Sequence, residues 1–292
     1  TRGCPFQCIY CDIPSLARGK WRSRSPEHVL GEMQQLNDDG YRSIYLTDDH
    51  FLMQRKRIEA VCNGIIDKKL EFHWGCEGRV DSLAVEELPL MVKANCTFLA
   101  FGVEAGTQKV LNRLKKGQTI EQIEHAVKQA KKDGIETAHG FFLIGSPDET
   151  TKDILESFRF AVRLKLDTFS FSRLCVYRGT PLWQEYVERG IIDDDRDWHK
   201  WFKCSDIDPT ILPSEVVHQA RKKGYMLLFG YLLLLRPVAT FRLLRKFSRY
   251  MTTSDICTLL WGPFSKKAKT RKPELPERMI EQGLDSPIRT AS

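Results

Sequence analysis

Three cysteines open the chain, in the run Thr1-Arg2-Gly3-Cys4-Pro5-Phe6-Gln7-Cys8-Ile9-Tyr10-Cys11. Their C-x3-C-x2-C spacing brings three thiolates to one side of a short loop, a donor set that suits a cubic iron–sulfur cluster. Three donors on such a cluster leave one iron without a protein ligand, and an open position is what separates catalytic metal sites from closed structural ones. Zinc is the competing occupant, because clustered cysteines in a cytosolic protein are often zinc ligands. A structural zinc takes four donors, and no fourth is near: the next cysteine is Cys62 and no histidine precedes His28. A non-catalytic metal-binding module on the same cysteines is thus the alternative from another functional class.

The remaining chemistry-bearing residues sit where apolar runs end. Asp48 and Asp49 follow Ser43–Thr47; Glu104 follows the run 97–103, where a carboxylate is costly unless paired. Each has a duller reading, an Asp capping the next helix or Glu104 favouring a helix N-terminus. Arg173 ends a further run, with the barrel interior and a surface ion pair equally open to it. The elements that must position these groups alternate from residue 25 to about 174, which predicts parallel β/α units. Strands are expected at 43–47, 71–76, 97–103, 136–144 and 168–174, and helices at 25–40, 53–68, 84–94, 119–133 and 148–164. Barrels of parallel strands carry their chemistry on loops at the strand C-terminal ends. Ser146, Pro147 and Glu149 read as N-cap, N1 and N3 of a capping box opening the helix at 148–164.

The cysteine run, with Asp48-Asp49-His50-Phe51, Gly102-Val103-Glu104, Lys116-Gly117, Gly140–Thr150 and Tyr177–Leu182, resembles the radical S-adenosylmethionine (SAM) superfamily in motif order and spacing over roughly residues 1–190. Arg178 stands where that family usually has Pro in the last segment, and the usual Gly-Gly-Glu is absent. Asp-Asp-x-Phe and the segment Gly19-Lys20-Trp21-Arg22-Ser23-Arg24 are similar to the branch that carries an N-terminal cobalamin-binding domain. The resemblance implies an α/β fold, a partial (β/α)6 TIM-like barrel lacking its first strand, followed by a helical C-terminal region. It implies a [4Fe–4S] cluster on Cys4, Cys8 and Cys11 whose open iron binds SAM and whose reduced form releases a 5′-deoxyadenosyl radical. It places Asp48 or Asp49 on the SAM amino group, Glu104 near the ribose or methionine ammonium, Tyr10 near the adenine, and the backbone from Phe142 to Ile144 along the adenine. Arg173 is a further candidate for the cofactor pocket. Cobalamin-dependent methyl transfer is the first activity expected; oxidative cyclisation and methylthiolation of tRNA are the alternatives. Cobalamin itself is expected mainly on a domain outside the chain. A small-molecule substrate, apolar in one reading, and an electron donor such as flavodoxin or ferredoxin are the implied partners, with no nucleic acid.

The 292 residues suffice for one large domain with an appendage. The divisions expected are a core at 1–190, a helical region at 191–264 and a disordered tail at 265–292. The absence of Met at the start reads as a fragment. Nine cysteines, an odd and scattered set, do not form a disulfide framework and fit a reducing, cytoplasmic compartment. Cys62, Cys76 and Cys96 read as small core residues. The net charge of +7 is concentrated in residues 216–250, which hold Arg221, Lys222, Lys223, Arg236, Arg242, Arg245, Lys246 and Arg249 and no acidic residue. Helices are expected at 213–236 and 238–250. The apolar run Tyr225–Leu235 is too short to span a bilayer; a buried helix is the first reading and attachment to an anionic membrane surface the second.

Overall fold

Local capping chemistry starts five of the described helices, beginning at Ser25. Helix α1 (Ile13–Leu16) is a single turn behind the cysteines, and α2 (Pro26–Asp38) opens where the Ser25 hydroxyl accepts from the His28 amide at 3.3 Å, with Pro26 in the first turn. The structure is a computed structural model that describes residues 1–82, 85–192 and 212–235, with Pro237 and Phe241. After α2 come β1 (Ser43–Leu46), α3 (Arg55–Asp67), β2 (His73–Gly78), α4 (Leu88–Lys93) and β3 (Cys96–Glu104). Helices α5 (Gln108–Arg113) and α6 (Ile120–Asp133) lead to β4 (Thr137–Ile144), α7 (Thr151–Arg163), β5 (Thr168–Arg173), α8 (Pro181–Glu188) and α9 (Ser214–Leu235). In α6 a full capping box at Thr119 and Gln122 starts the helix, and Gly134, at φ 107°, ends it in the left-handed conformation open to glycine.

The five strands form one curled parallel sheet in the order β1-β2-β3-β4-β5, a half-barrel. Parallel neighbours need helical crossovers, which is why the helix and strand periods alternate. Burial shows the two faces: along β4, Ala138, Gly140, Phe142 and Ile144 are buried, while His139, Phe141 and Leu143 are half-buried. The buried set meets the helices. Phe142 stacks on Phe171 at 4.6 Å, and Phe171 on Phe158 of α7 at 3.8 Å. Fully burying side chains of this size contributes about 1.5–3 kcal/mol each. Helix α9 closes the β5 side: the Tyr225 hydroxyl accepts from the Phe171 amide at 3.2 Å, satisfying a strand-edge donor. A Cβ at Gly224 would lie 2.1 Å from the Phe158 ring, so only glycine permits this approach.

Several boundaries differ from the sequence reading. Strand β2 runs two residues later than 71–76, because its register pairs Ser43 with His73. Ser146 does not cap α7. Asp148 takes φ 61°, which breaks the helix, and Thr150 is the N-cap in a complete box with Asp153. Within 84–94, Val85–Glu87 form a 3-10 turn and α4 proper begins at Leu88, next to Pro89. Helix α9 matches 213–236 closely. The acidic run Asp193–Asp197, Cys204, the helix expected at 238–250 apart from Phe241, and the tail from 265 lie outside the described residues. Cys62, Cys76 and Cys96 are free and buried in the main core, as expected, whereas Cys175 is disulfide-bonded.

Candidate active site

The cysteine loop is held at the C-terminal edge of the sheet by backbone bonds on both sides. Ile9 donates to the Leu114 carbonyl at 3.1 Å and accepts from the Leu182 amide at 3.0 Å. Its side chain is buried with Leu174, Val176, Leu182, Trp183 and Tyr186 in a cluster separate from the main core. Upstream, Arg2 and Arg22 form a two-way bridge at 2.9 Å, and Gly3 sits at φ 87°. A Cβ on Gly3 would fall 1.9 Å from the Lys20 carbonyl oxygen, so the turn that aims Cys4 admits glycine alone. Asp49 accepts from the Gly3 amide at 2.6 Å, and Asp48 from the Thr1 nitrogen. Neither aspartate caps α3, whose N-cap is Gln54. Asp49 thereby tethers the cysteine loop.

Cys8 is buried, and Cys4 and Cys11 are half-buried beside it in the loop. Burial pushes the Cys4 thiol up, and carries Cys11 to about 11. Metal binding must therefore displace protons from these thiols. Among the described residues, no three His, Cys, Asp or Glu side chains converge on one metal ion. A cuboidal cluster distributes its thiolates over separate irons, so it asks for three sulfurs on one loop rather than for convergence on a point.

Two ion pairs border the cysteines. Arg79, immediately after β2, is 7% exposed and donates from Nη1 to Cys8 Sγ at 3.4 Å. Its Nε and Nη2 fork onto Asp81 at 2.9 and 2.8 Å, and its guanidinium lies 3.7 Å from the Phe6 ring centroid. Glu104, ending β3, pairs with Lys116 at 2.7 Å, both nearly fully buried. The Tyr10 phenol bonds Glu104; burial first, then the Glu104 charge, holds it well above the usual tyrosine range. Glu104 takes φ 64°, where the β3–β4 register slips. A non-glycine residue held there stores about 1–3 kcal/mol of strain and persists only where the surroundings demand it. A Cβ at Gly102 would come within 2.8 Å of both Glu104 Oε1 and Lys116 Nζ, so that glycine makes room for the pair. Glu104 is no helix cap, since α5 starts from Thr107.

His50 is buried under Phe6, with its Nε2 3.0 Å from Ser82 Oγ and its Nδ1 without a partner. Burial, with Arg79 second, pushes it down to about 4, so it is neutral. Of the sequence candidates, Tyr10 and Glu104 come together beside the cysteines, and Asp49 holds the loop. The Phe142 side chain points away, into the helix-facing core, leaving only its backbone toward the site. Arg173 pairs in register with Ile144, on the side of the sheet that carries Phe142 and Phe171. Arg79, Asp81 and His50 were not singled out from sequence. An Arg-x-Asp at the end of a strand was the available signal.

The profile of the Radical SAM superfamily matches residues 1–161. This chain belongs to the radical SAM superfamily. It is 32% identical over 232 residues to an uncharacterized methyltransferase of Pyrococcus horikoshii, covering 77% of this chain and 49% of that protein. It is 31% identical over 194 residues to the anaerobic magnesium-protoporphyrin IX monomethyl ester cyclase of Rubrivivax gelatinosus, covering 65% of this chain and 34% of that one. The fold is similar to that of the radical SAM methyltransferase TsrM from Kitasatospora setae, solved with cobalamin and a [4Fe–4S] cluster, with a TM-score of 0.60, 21% identity and coverage of 64% and 38%. The chain spans half or less of the length of these relatives. Radical SAM proteins use a [4Fe–4S] cluster and SAM. Three thiols on one pinned loop, with a buried cation donating to Cys8 Sγ, are a donor set that fits that cluster.

Proposed function

We propose that the chain is the catalytic core of a radical SAM methyltransferase, in which Cys4, Cys8 and Cys11 hold the [4Fe–4S] cluster. When bound, the cluster supplies the electron that cleaves SAM to methionine and a 5′-deoxyadenosyl radical. The observation that carries the reading is the cysteine loop itself, fixed through Ile9 to two different elements and through Asp49 to the end of β1. Its rigidity serves to place the cofactors and exclude side reactions, which is the protein's share in such chemistry.

Around the cluster, Glu104 and Tyr10 are the residues offered to SAM. The Glu104 carboxylate, held by Lys116, presents a desolvated anion suited to an ammonium or ribose hydroxyl. Asp49 reaches the SAM amino group only by sharing its bond to the loop, so it serves first to aim Cys4, while Asp48 beside it is offered to the same amino group. The backbone from Phe142 to Ile144 borders the adenine. Cobalamin is held by a part of the protein beyond these residues, in keeping with the greater length of the relatives. A small-molecule substrate and a flavodoxin- or ferredoxin-type electron donor complete the reaction.

Anaerobic reconstitution tests the reading. The expected result is a brown iron–sulfur protein that forms 5′-deoxyadenosine from SAM on reduction, and that, in a preparation that also carries the cobalamin-holding part, passes the SAM methyl group to a carbon acceptor. One zinc per chain and no nucleoside product contradicts it. A cyclase is the second reading, favoured by the likeness to the protoporphyrin ester cyclase; it forms 5′-deoxyadenosine with no methyl transfer.

No helix among the described residues is long and apolar enough to cross a membrane. Peripheral attachment through 216–250 draws support from α9, where Met226 and Leu227 are exposed within a turn or so of Lys222 and Lys223, and Leu233 and Leu234 are exposed further along the same helix. Salt-sensitive pelleting with anionic liposomes is the expected outcome, and its absence removes the idea.

A further inference from the structure

We propose that Arg79, locked in place by Asp81, sets the reduction potential of the [4Fe–4S] cluster through its hydrogen bond to Cys8. The inference rests on the cluster reading given above and concerns a pair of residues to which that reading assigns no role.

The geometry leaves Arg79 no other orientation. Two of its nitrogens are forked onto Asp81, Nη2 also donates to the Lys116 carbonyl, and the planar face rests on Phe6, inside the cysteine loop. Asp81 is itself fixed, accepting from Gln118 Nε2 at 2.8 Å. Gln118 is 1% exposed, so this support is interior too. What remains of the guanidinium, Nη1, is aimed at Cys8 Sγ. A bidentate Arg–carboxylate fork is pre-organised and specific in direction. Its burial is tolerated because the cation is paired.

The electrostatic consequence follows from direction rather than from net charge. The pair is neutral overall, but its positive end meets the ligand sulfur while its negative end lies beyond. Reduction adds one negative charge to the cluster. A hydrogen bond and a positive dipole end at a ligand sulfur stabilise the reduced form more than the oxidised one, which raises the potential. In a buried setting, such a dipole acts with little screening. Asp81 has two effects: it orients Arg79 and it partly offsets its charge.

These roles predict opposite shifts from two substitutions. Arg79→Gln removes the cation and leaves Asp81 near the cluster, so the potential falls. Asp81→Asn keeps the cation, and an amide oxygen to accept from it, while removing the opposing charge, so the potential rises. Arg79→Lys retains charge without the fork and falls between wild type and Arg79→Gln. The experiment is an EPR-monitored redox titration of the anaerobically reconstituted full chain, without SAM. Arg79→Gln is expected to lower the equilibrium constant for one-electron reduction at least tenfold, a shift of about 59 mV for such a couple. An unchanged potential in Arg79→Gln overturns the proposal. So do shifts of the same sign in Arg79→Gln and Asp81→Asn, the pattern of a merely structural disturbance. If Arg79→Gln does not retain the cluster, Asp81→Asn alone decides, and a fall or no change in its potential overturns the proposal. A wild-type chain that assembles no [4Fe–4S] cluster instead overturns the cluster reading, and this inference with it.

Discussion

Replacing Lys116 with Met should destabilise the metal-free protein severely, through Glu104. The two groups meet at 2.7 Å, with Lys116 5% and Glu104 8% exposed, so no water stands ready to solvate the carboxylate once its partner is gone. Breaking a buried pair by removing one partner costs about 3–5 kcal/mol. At about 2–4 °C per kcal/mol for a chain of this size, the melting midpoint should fall by about 6–20 °C. Glu104→Gln in the same background neutralises the stranded charge while keeping an acceptor for the Tyr10 phenol. The double variant should therefore recover part of the loss, with a coupling energy of about 0.5–3 kcal/mol. Urea denaturation of the reduced apoprotein, followed by circular dichroism, measures all corners of the cycle. A loss below about 1 kcal/mol for Lys116→Met, or additivity within about 0.5 kcal/mol, would refute the argument that this pair is a desolvated, mutually dependent unit.

Glu149 gives a pH signature. Burial raises its carboxyl to about 7 from 4.5, with the Gly145 and Ser146 amides opposing. A carboxyl raised in the folded state contributes its stability in full below the unfolded value, and that contribution is lost as pH rises through about 7. Unfolding free energy should accordingly decline by about 3 kcal/mol between pH 4.5 and 8, and Glu149→Gln should flatten that slope; an unchanged slope contradicts the assignment. Thr150→Ala should cost about 1 kcal/mol as the loss of an N-cap, whereas Ser146→Ala, whose hydroxyl is buried without a partner, should be neutral or stabilising. The reverse order in thermal melts would restore Ser146 as the cap. Gly3→Ala should abolish cluster assembly, read as iron content after reconstitution, because its Cβ meets the Lys20 carbonyl at 1.9 Å; full iron retention contradicts the claim that this turn aims Cys4.

The features legible in the sequence were those written locally. The three cysteines, the alternation of helix and strand periods, and the Ser25 and Thr119 starts are short-range patterns, and each appears where the chain predicts it. The strand-end acids were visible as well, but their partners were not. That Asp49 would accept from the Gly3 amide depends on how the loop folds back over β1. Arg79 is further still from local legibility, since its target, Cys8, lies 71 residues away and is brought near only by the parallel sheet. The misplaced start of α7 has a different cause. Ser146-x-x-Glu149 and Thr150-x-x-Asp153 are two consecutive versions of one signal, and the first is half made: Glu149 does accept from the Ser146 amide at 2.9 Å. What local pattern cannot show is that Glu149 is buried at the end of β4 and Asp148 turns left-handed, so the helix can begin only at the second box. Arg173 shows the same limit: a strand's last residue has two faces open to it, and its pairing with Ile144 is set by the sheet, not by local pattern.

The most direct measurement is the EPR spectrum of the reduced, anaerobically reconstituted chain before and after addition of SAM. The expected result is a [4Fe–4S] signal that changes on binding, because a cluster held by Cys4, Cys8 and Cys11 would leave one iron open to the nucleotide. A cluster signal that SAM leaves untouched, or no cluster signal at all, contradicts it.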